Sequence, residues 1–220
     1  MSTQKIMAFV SVAIVAVLAL VVVLSSMNHD SSSGTDIDGA FVTAMVPHHQ
    51  KAIEMARLAQ QKAEHPEIVN LANNIESSQS DEIVQMNKMR KRLSGSSNDG
   101  QDDGDMGMGG STMGMSNSMM GMDMDMGALK SAKPFDKEFI DQMIPHHQGA
   151  IRMARMELSD GQDQETEDLA KNIIAAQSAE IIQMNAWRTK WYGAPSPAGG
   201  VPTDVPDMDP GMDSMSGMDH

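Results

Sequence analysis

Residues 139–155 read FIDQMIPHHQGAIRMAR, and residues 41–57 read FVTAMVPHHQKAIEMAR. The two stretches align without a gap, and the match resumes at the same spacing further on, where 169–185 repeats 71–87. A match of this length within one chain indicates an internal duplication. The sequence therefore contains two copies of one unit, which we place at 36–93 and 136–192.

Each copy predicts two helices. In the first helix of the first copy, Phe41, Met45, His48, Ala52 and Met55 recur at intervals of three and four residues, as they do on one face of a helix. A similar stripe follows in the second helix, and a His-Pro pair or a Ser-Asp-Gly sequence separates the helices. Two helical hairpins, each with one apolar face, are expected to pack together. The predicted fold class is all-α, a four-helix bundle.

The linker at 94–135 and the tail at 193–220 have a different composition. Both are rich in Gly, Asp, Pro or Ser, have neither a helical nor a strand period, and are expected to be disordered without a ligand. They also hold many of the 24 methionines of the chain. We interpret these as weak secondary sites for soft metal ions: Met106, Met108, Met113, Met115, Met119, Met120, Met122, Met124, Met126, Met208, Met212, Met215 and Met218. The alternative is a plain flexible linker.

Composition excludes several classes of function. The net charge of −14 argues against nucleic acid as a partner, because a phosphate backbone requires a basic surface. Cysteine is absent, which excludes disulfides, thiolate zinc sites and cysteine nucleophiles. A strongly acidic, methionine-rich chain is instead compatible with metal cations as partners.

The histidine pairs are the main candidate metal ligands. Met45 and His49 lie four residues apart and share a helix face, as Met143 and His147 do in the second copy. Thioether sulfur suits Cu(I), and imidazole suits both copper states, so we predict copper, with Cu(I) favoured and Cu(II) as the alternative. The candidate core ligands are His48, His49, His146, His147, Met45, Met143, Met55, Met153, Glu82, Glu180, Met86 and Met184. No catalytic residue is predicted.

A known family shares these motifs. Residues 143–154 read MIPHHQGAIRMA, and Gln177-x-x-Glu180-Ile181-x-x-Met184 follows. These motifs resemble the bacterial family called domain of unknown function 305, and the resemblance covers both copies. It implies a ferritin-like helical protein outside the cytoplasm, in a family of which some members are associated with copper binding and copper resistance. The expected function is copper capture, buffering or resistance, with a copper-transfer protein as a further partner.

Two alternatives remain open at this point. The histidines are core residues of a structural module if they have satisfied partners. A ferritin-like metal-dependent oxidase is the enzymatic alternative, although such proteins use Glu-x-x-His motifs, and this chain has Glu82-x-x-Gln85 and Glu180-x-x-Gln183. Pro47 precedes the first histidine pair, as its counterpart precedes the second. Each proline either bends a helix or marks its start.

The amino-terminal segment 1–26 predicts a membrane anchor or a signal segment. Residues 6–24 carry no charge and no proline, and as a helix they would extend about 28 Å, close to the hydrocarbon thickness of a bilayer. Lys5 precedes this run and acidic residues follow it, which favours a body outside the cytoplasm. We expect a single-pass membrane protein, and a secreted protein if the segment is cleaved.

Processing of this segment is testable. If residues 6–24 are retained, the protein stays in the membrane fraction through high-salt and carbonate washes, because only a spanning helix resists both treatments. Mass spectrometry then detects an intact 1–24 segment. Cleavage after Ser26 would contradict the anchor. It would also expose Met27 as a new amino terminus with His29 in third position, an arrangement of nitrogens that suits Cu(II).

Overall fold

A computed structural model describes residues 37–96 and 113–204. The elements in chain order are α1 (Ile37–Lys62), α2 (Pro66–Ser96), α3 (Met126–Ser131), α4 (Phe135–Asp160) and α5 (Gln164–Tyr192). No strand occurs within these two described ranges. The predicted all-α fold is confirmed. The two duplicated units lie on the α1–α2 and α4–α5 hairpins.

Local signals account for the helix ends. Pro66 is the first residue of α2, a position at which the missing N–H has no helical partner to lose. Asp163 caps α5 by accepting a hydrogen bond from the backbone N–H of Thr166, and Gly193, with φ of 83°, ends the helix. Pro47 and Pro145 lie inside α1 and α4. Of the two alternatives for these prolines, the helix interior is therefore the one observed.

The two hairpins meet through α1 and α4. Helix α1 packs mainly on α2 and then on α4, and α4 packs on α5. Phe41, near the start of α1, shares a buried cluster with Met153, late in α4. Met55, late in α1, shares another cluster with Phe139, early in α4. The two central helices therefore run antiparallel, and their midpoints, which carry the histidine pairs, face each other.

Two equivalent aspartates link each hairpin to the other. Asp38, in the first turn of α1, accepts hydrogen bonds from the backbone N–H groups of Gln162 and Asp163, which join α4 to α5. Asp136, the equivalent residue of α4, accepts from the backbone N–H and the Nδ1–H of His65 in the α1–α2 turn. Each aspartate satisfies orphan donors in the turn of the other unit, which fixes the relative position of the hairpins.

The linker and the tail differ from what the sequence predicts. Residues 113–126 pack against the helices, with Met113 and Met115 buried, and α3 follows directly. Residues 193–204 pack as well, because Gln148 Nε2 donates to the carbonyls of Ala198 and Gly200. Apolar contacts and backbone hydrogen bonds thus order segments that have no regular period. Residues 97–112 and 205–220 lie outside the described residues.

The predicted membrane segment also lies outside the described part of the chain. Among helices α1 to α5, none is long and apolar enough to cross a bilayer. The anchor predicted for residues 6–24 therefore stays a prediction.

One buried glutamate lowers the stability of the fold as the pH rises. Glu157 on α4 is fully buried, and its carboxyl lies against that of Asp38. Burial and the nearby Asp38 carboxylate raise the pKa of Glu157 from 4.5 to about 9. Between these two values the folded chain holds a proton that the unfolded chain lacks, so the free energy of unfolding falls as the pH rises from 4.5 to 9.

Replacing Glu157 by Gln should remove this penalty, because an amide keeps the shape and donates a hydrogen bond to Asp38. The variant should match the parent near pH 5 and gain on the order of 2–4 kcal/mol in unfolding free energy at pH 8. Denaturant titrations at both pH values measure the difference. Glu54→Gln, on the exposed face of α1, should change stability little at either pH. An equal gain at both pH values for Glu157→Gln would contradict the assignment.

Candidate metal centre

Two stacked histidine rings occupy the middle of the α1–α4 contact. The ring centroids of His48 and His146 lie 3.7 Å apart, and the ring planes differ by 7°. Burial, together with the imidazoles of His146 and His49, holds the pKa of His48 well below its usual value. Burial lowers the pKa of His146 to about 3. Both rings are therefore neutral at physiological pH, which allows them to stack without charge repulsion.

The second histidine of each pair contacts a glutamate on the other helix of its own hairpin. His49 Nε2 lies 2.7 Å from Glu82 Oε2, and His147 Nε2 lies 2.6 Å from Glu180 Oε2. Because a carboxylate oxygen accepts, Nε2 donates in both pairs. Within the described ranges, Nδ1 of each ring is buried and has no hydrogen-bond partner. Each of these nitrogens offers a lone pair, and the glutamate orients the ring, as carboxylates commonly do for metal-binding histidines.

The two stacked histidines differ in their hydrogen bonds. His48 Nε2 donates to the carbonyl of Met120 over 3.0 Å, and its Nδ1 is buried without a partner among residues 37–96 and 113–204. In His146, Nδ1 lies 3.0 Å from the carbonyl oxygen of Gly121 and Nε2 lies 3.1 Å from that of His48. A neutral ring has one N–H to donate. Both nitrogens of His146 are occupied by carbonyl contacts, so neither is open to a metal in this arrangement.

The six core methionines predicted from the sequence are all fully buried, and they separate into two groups. Met45, Met86 and Met153 belong to one buried cluster, here the first thioether cluster. The second thioether cluster comprises Met55, Met143 and Met184. The duplication maps one group onto the other. Each cluster combines two methionines of one unit with one methionine of the other.

The clusters adjoin the histidine–glutamate pairs. Met45 lies one helical turn before His49 on α1, and Met86 lies one turn after Glu82 on α2. The same spacing places Met143, His147, Glu180 and Met184 together in the second unit. Each half of the described core therefore holds thioethers and one imidazole nitrogen without a hydrogen-bond partner, and the nearby glutamate is already engaged by histidine.

Two buried amides border these pairs. Gln79 and Gln177 precede the two glutamates by three residues on α2 and α5, and both are almost fully buried. Their Oε1 atoms have no hydrogen-bond partner in the described part of the chain. A buried amide oxygen without a partner is costly. These two atoms are candidate acceptors for bound water or for a group on an incoming metal complex.

The structure does not assemble a hard, oxygen-rich metal site. Within residues 37–96 and 113–204, no three His, Asp or Glu side chains meet as a ligand group. A di-iron oxidase needs several carboxylates directed at the same point. Each half of the described core instead buries three of the predicted methionines, together with one histidine Nδ1 that has no hydrogen-bond partner.

The linker and tail methionines predicted as secondary ligands differ in how far they are buried. Met113 and Met115 are buried, Met119 is exposed, and Met120, Met122, Met124 and Met126 are half-buried. Met106 and Met108, and all four tail methionines, lie outside the described residues. Sequence reasoning missed the backbone carbonyls of Met120 and Gly121 as partners of the stacked histidines. One signal was available: the duplicated motif has Gly149 where the first copy has Lys51, which indicates close backbone approach in the second copy alone.

Comparison with known proteins assigns the family. The family described as domain of unknown function (DUF305) matches residues 38–188, and a second match covers 158–220. The chain belongs to the DUF305 family. Solved DUF305 structures extend the likeness to the fold: one from Streptomyces coelicolor is 25% identical, with a TM-score of 0.60, and covers 74% of this chain and 96% of that chain.

CopM is a further similar structure among solved proteins. In its Cu(I)-bound form it is 40% identical to this chain, with a TM-score of 0.58, over 71% of this chain and 98% of that chain. CopM has also been solved in apo, Ag-bound and Cu(II)-bound forms. Among curated sequences, the uncharacterized protein L153 of Acanthamoeba polyphaga mimivirus is 39% identical over 51 residues. That match spans 34% of the viral protein, about a third of its length.

Proposed function

We propose that this DUF305 protein binds Cu(I) at two equivalent core sites and serves to capture or buffer copper outside the cytoplasm. The observation that carries the proposal is the doubled donor set: a buried thioether cluster beside a histidine whose Nδ1 is free. The Cu(I)-bound and Ag-bound forms of CopM support it, because both ions are soft and favour sulfur.

The ligand roles follow from the free atoms. At the first site, Met45, Met86 and Met153 supply sulfur and His49 supplies Nδ1. At the second site, Met143, Met184 and Met55 are the equivalent sulfur ligands, and His147 supplies Nδ1. The two glutamates hold the imidazoles in orientation and raise their basicity without touching the metal. His48 and His146 pack at the centre, with His48 Nδ1 as an additional donor.

Several properties of the core favour Cu(I) over Cu(II). All six methionines are fully buried, and neutral sulfur ligands in a dry interior stabilise a singly charged ion more readily than a doubly charged one. Cu(II) prefers square-planar nitrogen and oxygen ligands, which the described core does not assemble. CopM has also been solved with Cu(II) bound. Binding of Cu(II) is therefore a second outcome that the binding experiments should measure.

The wider role rests on the termini as well as the core. An anchor at residues 6–24 would hold the bundle at the outer face of the membrane, and the methionine-rich linker and tail would collect further ions weakly. Release to a copper-transfer protein would complete the function. The competing functions are a metal-dependent oxidase and a structural module with core histidines. Iron binding with peroxide turnover would favour the oxidase, and the absence of metal binding would favour the structural module.

Replacing both His49 and His147 by Ala should weaken the tight Cu(I) sites by about 100-fold or more, because each site loses its nitrogen ligand and leaves a glutamate unpaired. The weaker change, Glu82→Gln with Glu180→Gln, keeps an acceptor for Nε2 and should cost about tenfold. Competition with a strong Cu(I) chelator measures both and excludes the weak tail sites.

Helical content measured by circular dichroism controls for unfolding, and Lys51→Ala, at an exposed ion pair on α1, is the matched control for affinity. Binding of the first Cu(I) ion by the double histidine variant with the parent affinity would overturn the ligand assignment.

A further inference from the structure

Residues 113–126, here the methionine strap, run from one thioether cluster to the other. Met113 and Met115 are buried in the hydrophobic cluster that contains Met45, Met86 and Met153, and Met120 packs against that cluster. At the other end of the strap, Met124 and Met126 pack against the hydrophobic cluster that contains Met55, Met143 and Met184. One short segment therefore delivers methionine side chains to both halves of the core.

The middle of the strap lies directly on the stacked histidines. The carbonyls of Met120 and Gly121 contact the rings of His48 and His146. No side chain fits at this crossing: a Cβ on Gly149 would overlap the carbonyl of Met120, and a Cβ on Gly121 would overlap the carbonyl of Pro145. Gly121 also has a φ of 68°, which favours glycine.

This docking position for the strap exists in the second copy of the motif only. The residue equivalent to Gly149 in the first unit is Lys51, whose ammonium pairs with Glu54 on the helix surface. The two clusters are thus equivalent in their core ligands but are bridged by one segment that docks on α4. The strap is therefore the feature that distinguishes the two units, and it also connects the two clusters.

The second half of the strap alternates between two kinds of residue. Met122, Met124 and Met126 are half-buried, and Asp123 and Asp125 between them are exposed. Residues 122–125 have no helical structure, and Met126 begins α3, so the alternation places thioethers toward the helices and carboxylates toward water. Exposed carboxylates attract a cation from solution, and Met124 and Met126 are partly exposed to solvent while they pack against the hydrophobic cluster that contains Met55, Met143 and Met184.

We propose that the methionine strap is the entry and transfer site for Cu(I), through which the ion reaches both core clusters. This inference rests on the proposed function and adds its route. Transfer is ligand exchange: each copper–sulfur bond to an outer methionine is replaced by one to an inner methionine, and copper stays Cu(I) throughout. No oxidant, reductant or proton is consumed. The strap is therefore a carrier of the ion and not a cover over the histidines.

The first test removes the sulfur atoms and keeps the packing. The triple variant Met122→Leu, Met124→Leu and Met126→Leu preserves apolar volume and loses every thioether in the alternating half. In the full chain, stopped-flow transfer of Cu(I) from a chromophoric chelator should slow by about tenfold or more. Equilibrium affinity of the core sites should stay unchanged. Lys51→Ala, on the surface of α1 and outside the strap, is the control and should keep the parent rate.

The second test unseats the strap. Gly149→Lys introduces the residue of the first unit, and Lys51→Ala is its control. Without copper, amide hydrogen exchange across 113–126 should rise in Gly149→Lys and remain at the parent level in the control. Cu(I) transfer should slow in Gly149→Lys, because the strap thioethers leave the clusters. Faster transfer would mean that the strap only covers the core, and it would overturn the proposal.

The results distinguish failure of the proposed core sites from failure of the proposed route through the strap. A parent protein that binds no Cu(I) tightly would refute the proposed function, and the route with it. A parent that binds tightly, together with a triple variant that accepts Cu(I) at the parent rate, would refute the strap and leave the core sites intact. Should Gly149→Lys fail to fold, the triple leucine variant alone decides between the two results.

Discussion

The stacked rings of His48 and His146 set the position of α1 against α4, and with it the arrangement of both hairpins. Their contact brings the midpoints of two antiparallel helices to a ring distance of 3.7 Å, and only neutral imidazoles can remain there. With the midpoints fixed, the early turns of α1 face the late turns of α4. At the other end of the bundle, the late turns of α1 face the early turns of α4. The exchanged aspartate contacts at each end then follow from the same geometry.

Antiparallel crossing of two copies has a chemical consequence. Each thioether cluster takes Met45 and Met86, or their equivalents, from one unit and the remaining methionine from the first helix of the other unit. A single hairpin would therefore hold only two of the three methionines of each proposed copper site, and the duplication brings the third to both. Soft sulfur ligands also fill the core as ordinary apolar side chains do. The residues that we propose as copper ligands therefore also stabilise the bundle in the absence of the ion.

Much of this arrangement was predictable from the sequence, because it rests on local period and on repetition. The helices, the hairpins and the burial of the four histidines follow from spacings of three and four residues. The partner of each histidine did not follow, since His49 meets Glu82 across two helices. Nor did the exchange of Met153 and Met55 between units, which requires the direction of packing. The strap was missed because 113–126 has no regular period over its length, and its position depends on the space left at Gly149.

The central claim is that buried sulfur and one imidazole nitrogen bind the ion. X-ray absorption at the copper edge, on the full chain loaded with Cu(I) and stripped of weakly bound ions by a chelator, tests this claim most directly. We expect a Cu(I) edge with a shell in which sulfur outnumbers nitrogen, and loss of the nitrogen contribution when His49 and His147 are replaced by Ala. A shell of nitrogen and oxygen without sulfur would contradict the account.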